Sequence, residues 1–203
     1  LHSFPTRRSS DLFALWLFFR GQWRWCTRFT WTFLLVNLIG FAGYYVHPAA
    51  PPWYVLQYGY TPILDTPGNV GGLIRFDQLV GLPVFQGIYA KNSNVFAAMP
   101  SLHSAYMLIT TIYAVKSRQP WPLSAVCALL CAGIWFTAVY SGHHYLLDVL
   151  AGIATAVAGV ALSEYVLQRL PSVRRVVGAY SQLLRPAATS DKDAASGRNI
   201  RQS

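Results

Sequence analysis

Long apolar stretches without a charged side chain dominate the pattern along this chain. Those free of Asp, Glu, Lys and Arg are residues 29–64, 92–115, 119–147 and 149–163. A helix needs about twenty mostly apolar residues to cross a bilayer, so each stretch is a candidate span. We place transmembrane helices near 29–46, 97–115, 122–141 and 145–167. The pattern therefore predicts an all-α fold, a polytopic transmembrane helix bundle.

The chain divides into three predicted segments. Residues 13–168 form the transmembrane domain, and residues 169–203 form a basic cytosolic tail that we expect to be disordered. Residues 1–12 include the string HSFPTRRSSDL, which resembles the translation of a common sequencing adapter more than a targeting signal. We interpret them as non-native sequence, the alternative being a short basic lead-in. The partial span at 13–19 predicts that earlier N-terminal helices are missing.

Composition and charge agree with a membrane protein. Hydrophobic residues make up 54% of the chain and charged residues 11%, while the net charge is +9. The basic residues flank predicted helix ends, which makes those segments cytosolic by the positive-inside tendency. Loop 47–96 and turn 142–144 then face the other side, and in a bacterium the protein would occupy the plasma (inner) membrane. Because the basic residues are scattered, we expect no nucleic-acid partner.

Two short polar motifs interrupt the apolar sequence, at Met99–His103 and His143–Asp148. Ionisable groups are costly inside a membrane and mark functional sites by default. In the predicted topology, His103 enters its helix from the non-cytosolic side, as do His144 and Asp148. The three side chains should therefore meet at one membrane face.

The first motif has two possible readings. Pro100 suits a first helical turn, and the amides of Ser101, Leu102 and His103 would then offer a phosphate-sized anion site beside an imidazole. The alternative is a proline kink with His103 bonded to a neighbouring carbonyl.

The second motif pairs an imidazole with a carboxylate. His144 and Asp148 are four residues apart and share a helix face, so the carboxylate can accept from Nδ1–H and leave Nε2 free to attack an electrophile. The alternative is an ordinary hydrogen bond within one helical turn. His143 points about a hundred degrees away from His144 on an ideal helix, and we interpret it as supporting or interfacial.

These motifs resemble the second and third motifs of the type 2 phosphatidic acid phosphatase (PAP2) superfamily. The segments that carry the resemblance are Pro100–His103 and His144-x-x-x-Asp148. The surrounding sequence is similar to the inositol phosphorylceramide synthase branch, on the segments Ala49–Trp53, Gly72–Gly81, Phe96–Ser104 and His143–Gly152.

The resemblance implies a PAP2-like bundle and a role for each polar residue. His144 would attack a lipid phosphate to form a phosphohistidine, Asp148 would orient it, and His103 would protonate the leaving alkoxide. The superfamily's first motif, which grips phosphate, is absent, so Arg75 and Lys91 join Ser101 as candidate substrate-binding residues. Their alternative is surface solvation or lipid headgroup contact.

The expected substrates are a phospholipid donor and a lipid hydroxyl acceptor, with a phosphoinositol-type headgroup transferred to a ceramide-like lipid. A lipid phosphate or pyrophosphate phosphatase is the alternative reaction, because the same residues can use water. A transporter is the non-enzymatic alternative, but transport needs a polar path and the cytosolic halves of the predicted helices look apolar. We expect no metal and no cofactor, and three free thiols.

Overall fold

The computed structural model describes residues 5–63, 66, 68–70, 74–83 and 95–185, with residues 5–8 and 76 described by their backbone only. The described part is helical. Its α-helices are α1 (Pro5–Phe19), α2 (Trp23–Val46), α3 (Pro52–Tyr58), α4 (Ile74–Val80), α5 (Leu102–Lys116), α6 (Trp121–Tyr140), α7 (Leu146–Ala161) and α8 (Pro171–Leu183). A π-helical turn (Leu162–Val166) and a 3₁₀ turn (Leu167–Arg169) continue α7. The all-α prediction is confirmed.

Three helical segments are long and apolar enough to cross a membrane: Trp23–Val46, Trp121–Tyr140 and Leu146–Arg169. The predicted span at 97–115 is shorter than expected, because α5 begins only at Leu102 after an extended Ser101. Its 15 residues measure about 23 Å, less than the roughly 30 Å of a hydrocarbon core. Helix α5 instead fills the centre of the bundle, where it packs against α1, α2, α6 and α7.

Helix α8 differs from the disordered tail that the sequence predicted from residue 169 onward. Residues Pro171–Leu183 form a helix that packs against α2 and buries Val177 and Ser181. Arg174 and Arg175 lie on its exposed side. The amphipathic pattern of this segment explains why it is helical, because its apolar face packs against α2. Residues 186–203 lie outside the described part of the chain.

A second polar cluster lies at the end of the bundle opposite the two histidine motifs, and we call it the glutamate end. Glu164, in the π-helical turn, is buried and forms an ion pair with Arg28. Lys116 Nζ lies 3.4 Å from Glu164 Oε2, and the Tyr113 hydroxyl donates to Glu164 Oε1 at 2.6 Å. The prediction that this half is apolar is therefore wrong. It rested on charge-free stretches that stop just before Glu164.

An apolar layer separates the glutamate end from the histidine motifs. Val36 of α2, Ile109 of α5 and Ala156 of α7 are fully buried within one core cluster between the two ends.

Candidate active site

The first histidine is positioned by the N-terminal cap of α5. The Ser101 hydroxyl oxygen accepts from the Ser104 amide at 3.5 Å and from the Ser104 hydroxyl at 3.1 Å. These bonds start the helix at Leu102 and fix the first turn, which carries His103. The imidazole of His103 lies beside Tyr106, with ring centroids 6.4 Å apart.

The second histidine lies in the turn between α6 and α7. The His144 amide donates to the Ala138 carbonyl at 3.0 Å, which fixes the turn to the end of α6. Asp148 is buried, and its Oδ2 accepts from the Tyr145 amide at 2.8 Å, so it caps α7. His144 Nδ1 lies 3.5 Å from the same oxygen.

His103 and His144 lie side by side, as the predicted topology requires, with ring centroids 6.1 Å apart. A backbone hydrogen bond joins their motifs, because the Ser101 amide donates to the Asp148 carbonyl at 3.0 Å. Gly152 permits this approach. A Cβ atom there would lie 2.2 Å from the Ser101 carbonyl oxygen, closer than atoms can pack.

His143 connects the turn to a loop distant in sequence. Its Nε2 contacts the Asn69 carbonyl oxygen at 3.1 Å, and since a carbonyl only accepts, Nε2 carries the proton. Nδ1 then accepts from the Ser141 hydroxyl at 2.7 Å. Burial lowers the pKa of His143 to about 4, and the nearby His144 adds to the shift. His143 is therefore neutral near pH 7 and supports the turn, as predicted.

The imidazole of His144 has a ring nitrogen without a hydrogen bond, and this bears on its chemistry. Nδ1 is a buried nitrogen with no hydrogen-bond partner, although Asp148 Oδ2 is only 3.5 Å away. Buried polar atoms are normally bonded, so an exception calls for an explanation. Catalytic hydrogen bonds are often long without substrate and shorten in the reacting complex. Such shortening would direct Nε2 at an electrophile, with the His103 imidazole near enough to exchange a proton with the same group.

Ser101 is placed differently from the predicted anion site. Its side chain is fully buried and caps α5, and its amide is bonded to Asp148 rather than available to a ligand. Arg75 lies on the exposed side of α4, and Lys91 lies outside the described residues. The described part of the chain contains no cluster of His, Cys, Asp or Glu suited to a metal ion. All three cysteines are free, as predicted, and buried.

The contacts of Asn69 and Ser141 with His143 were not predicted from the sequence. Asn69 contributes its backbone carbonyl, which any residue could supply, so no sequence signal marks it. Ser141 lies two residues before His143 in a polar turn, and this spacing was a usable signal. Glu164 was also detectable, as the lone carboxylate at the end of a predicted span.

A protein-family model described as the PAP2 superfamily matches residues 11–162. The chain belongs to the PAP2 superfamily. It is 50% identical over 174 residues to the phosphoinositol dihydroceramide synthase of Bacteroides thetaiotaomicron, covering 86% of this chain and 57% of that protein. It is 36% identical over 121 residues to the inositol phosphorylceramide synthase catalytic subunit of Saccharomyces cerevisiae, covering 58% of this chain and 29% of that protein.

The inositol phosphorylceramide synthase of Candida albicans is 28% identical over 138 residues, covering 68% of this chain and 29% of that protein. No solved structure matches the chain. The chain thus spans a little over half the length of the bacterial relative and under a third of the fungal ones. These matches confirm the predicted superfamily and its inositol phosphorylceramide synthase-like branch, and the apolar helices make the chain part of a membrane protein.

Proposed function

We propose that this protein is a membrane enzyme that transfers a phosphoinositol-type headgroup from a phospholipid to the hydroxyl of a ceramide-like lipid. The observation that carries the proposal is the pair of imidazoles, 6.1 Å apart, of which one lies beside a buried carboxylate. The names of the bacterial and fungal relatives favour the phosphoinositol donor and the ceramide-type acceptor.

In the first step, His144 Nε2 attacks the donor phosphorus. A P–N bond forms, the bond between phosphorus and the diacylglycerol oxygen breaks, and His103, in the protonated form that the adjacent anionic donor phosphate favours, gives its proton to the leaving oxygen. The Asp148 carboxylate accepts a hydrogen bond from Nδ1–H of His144 and stabilises the positive charge that develops on this imidazole. Since Asp148 also caps α7, the helix fixes its carboxylate before substrate binds.

In the second step, neutral His103 takes the proton of the acceptor hydroxyl, whose oxygen attacks phosphorus and releases His144. Each histidine ends the cycle as it began. Arg75 and Lys91 are the candidate cations for the phosphate oxygens, because the superfamily's phosphate-gripping first motif is absent from the sequence.

Placement in the membrane follows from the distribution of basic residues. Several basic residues, among them Arg24, Arg28 and Lys116, lie at the glutamate end, which we assign to the cytosol. The protein then crosses the membrane several times, in a bacterium the inner membrane, with its reacting histidines on the non-cytosolic face.

The test uses membranes containing the protein, supplied with radiolabelled phosphatidylinositol and with ceramide, and separates the lipids by thin-layer chromatography. We expect label in a ceramide product, lost at least about 10⁴-fold in His144→Ala and about 10²–10⁴-fold in His103→Ala. His47→Ala is the matched control, because His47 is an exposed histidine that follows α2.

Two other results would redirect the proposal. Release of water-soluble inositol phosphate without ceramide would make the protein a phosphatase that uses water as acceptor. Equal turnover by wild type and His144→Ala would rule out the phosphohistidine route.

A further inference from the structure

A basic cavity at the glutamate end lies far from the reacting histidines. It has a volume of about 340 Å³ and is formed where the end of α8 meets the start of α2. Its lining includes the guanidinium groups of Arg24, Arg28 and Arg185 and the indoles of Trp23 and Trp25. A cavity with this lining suits a phosphate-bearing ligand at a membrane interface.

Among the residues that the structure describes, cations outnumber carboxylates around this cavity. Glu164 faces both Arg28 and Lys116 and also accepts from the Tyr113 hydroxyl. One carboxylate therefore serves two cations, while Arg24 adds a further positive charge at the cavity. An anion in the cavity would offset this excess.

Arg28 is already held in a fixed orientation. Glu164 binds it through two guanidinium nitrogens, and its guanidinium carbon lies 4.8 Å from the centroid of the Trp25 ring. A side chain oriented in advance loses little freedom when a ligand binds.

An apolar groove of about 340 Å³ lies along the same two helices, and its residue Trp31 is about one helical turn beyond Arg28 of the basic cavity. It is lined by Trp31, Leu35 and Leu38 of α2 and by Val173 and Val177 of α8, among others. On α2 these residues follow Arg24 and Arg28 at helical spacing, so basic and apolar positions form one stripe. From Arg28 to Leu38 the stripe runs about 15 Å, the depth of one leaflet's hydrocarbon.

We propose that an anionic phospholipid binds along the α2–α8 seam, with its phosphate in the basic cavity and an acyl chain in the apolar groove. The buried layer of Val36, Ile109 and Ala156 separates it from the reacting histidines, so this lipid is not consumed by the reaction. The proposal stands independently of the transfer chemistry.

The test counts lipids retained by the purified protein in native mass spectrometry, with phosphatidylglycerol and phosphatidylcholine as probes. We expect selective retention of phosphatidylglycerol, weakened about 30-fold in the double variant Arg24→Gln/Arg185→Gln, since each basic residue contributes about fivefold. The control is Arg174→Gln/Arg175→Gln, which removes the same charge from the exposed side of α8. Equal retention in both double variants would overturn the proposal.

Two further measurements distinguish lipid binding at the seam from binding of free phosphate and from lipid binding at the reacting histidines. Inorganic phosphate should not displace phosphatidylglycerol, and Leu38→Gln should weaken retention; displacement by phosphate with no effect of Leu38→Gln would overturn the acyl-chain part. His144→Ala should retain phosphatidylglycerol as the wild type does. Loss of retention in that variant would place the lipid at the reacting site instead and overturn a separate seam site.

Discussion

The two ends of the bundle both bury ionisable side chains, but they satisfy them differently. At the glutamate end, Glu164 has an ion pair with Arg28, a second cation in Lys116 and a hydrogen bond from Tyr113. At the other end, His144 Nδ1 is buried without a hydrogen bond, 3.5 Å from Asp148. A buried polar atom is therefore fully hydrogen-bonded at one end and lacks a hydrogen bond at the other.

This difference separates structural from chemical use of buried charge. A buried carboxylate with every acceptor site occupied has nothing left to offer a substrate, and removing it costs stability. An imidazole that lacks its partner retains capacity for a bond that forms only with substrate present. The comparison predicts that mutations at the two ends affect different observables.

The largest expected effect is on the reaction rate of Asp148→Asn. The amide can still accept from the Tyr145 amide and cap α7, but it cannot stabilise a positive imidazole. We expect transfer of labelled headgroup to fall about 10⁴-fold with little change in thermal unfolding. A large loss of thermal stability at unchanged turnover would mean that Asp148, like Glu164, is structural.

The next effect concerns stability at the opposite end. Glu164→Ala leaves Arg28 and Lys116 without their shared carboxylate, and these side chains are only 26% and 30% exposed. We expect a loss of about 3 kcal/mol, the low end for a broken buried pair, measured as a lower unfolding temperature in detergent. Variants that remain folded should keep the wild-type rate at saturating substrate. A Glu164→Ala protein with the wild-type unfolding temperature but a lower reaction rate would contradict a purely structural role for Glu164.

A smaller effect is expected where the two helices of the site touch. Gly152→Ala places a methyl group against the Ser101 carbonyl, and we expect about 2 kcal/mol of destabilisation together with a lower rate. Gly133→Ala is the matched control, because nothing lies within 4 Å of a Cβ atom there. That substitution should be neutral or stabilising, since alanine favours a helix over glycine. If both variants behave alike, the close approach has no energetic role.

The smallest effect is a pH dependence due to His143. Its pKa of about 4 in the folded protein lies below the value near 6.5 of a free histidine, so the unfolded chain binds the proton more readily. Stability should therefore fall as pH drops from about 6.5 to about 4. His143→Asn should show a weaker decline in thermal stability over that window. An identical decline in both proteins would assign the dependence to other groups.

The sequence predicted the helices and the meeting of the two motifs because both depend on strong local signals. Stretches without charged residues indicate membrane-spanning helices. The predicted topology then places His103 and His144 at the same face of the membrane. The sequence did not predict that the Ser101 amide donates to the Asp148 carbonyl. That bond depends on a close approach of the two segments, which Gly152 permits because it lacks a side chain. Nor did it predict the ion pair of Arg28 and Glu164, whose members are 136 residues apart.

The backbone bond between Ser101 and Asp148 has a consequence for how the proposed transfer reaction would adapt to different lipids. Because it ties the start of α5 to the start of α7, the two histidines belong to one rigid block and cannot separate without breaking that bond. A bulkier donor or acceptor therefore has to be accommodated by the surrounding loops. Divergence in lipid choice should accumulate there, while the reacting pair keeps its spacing.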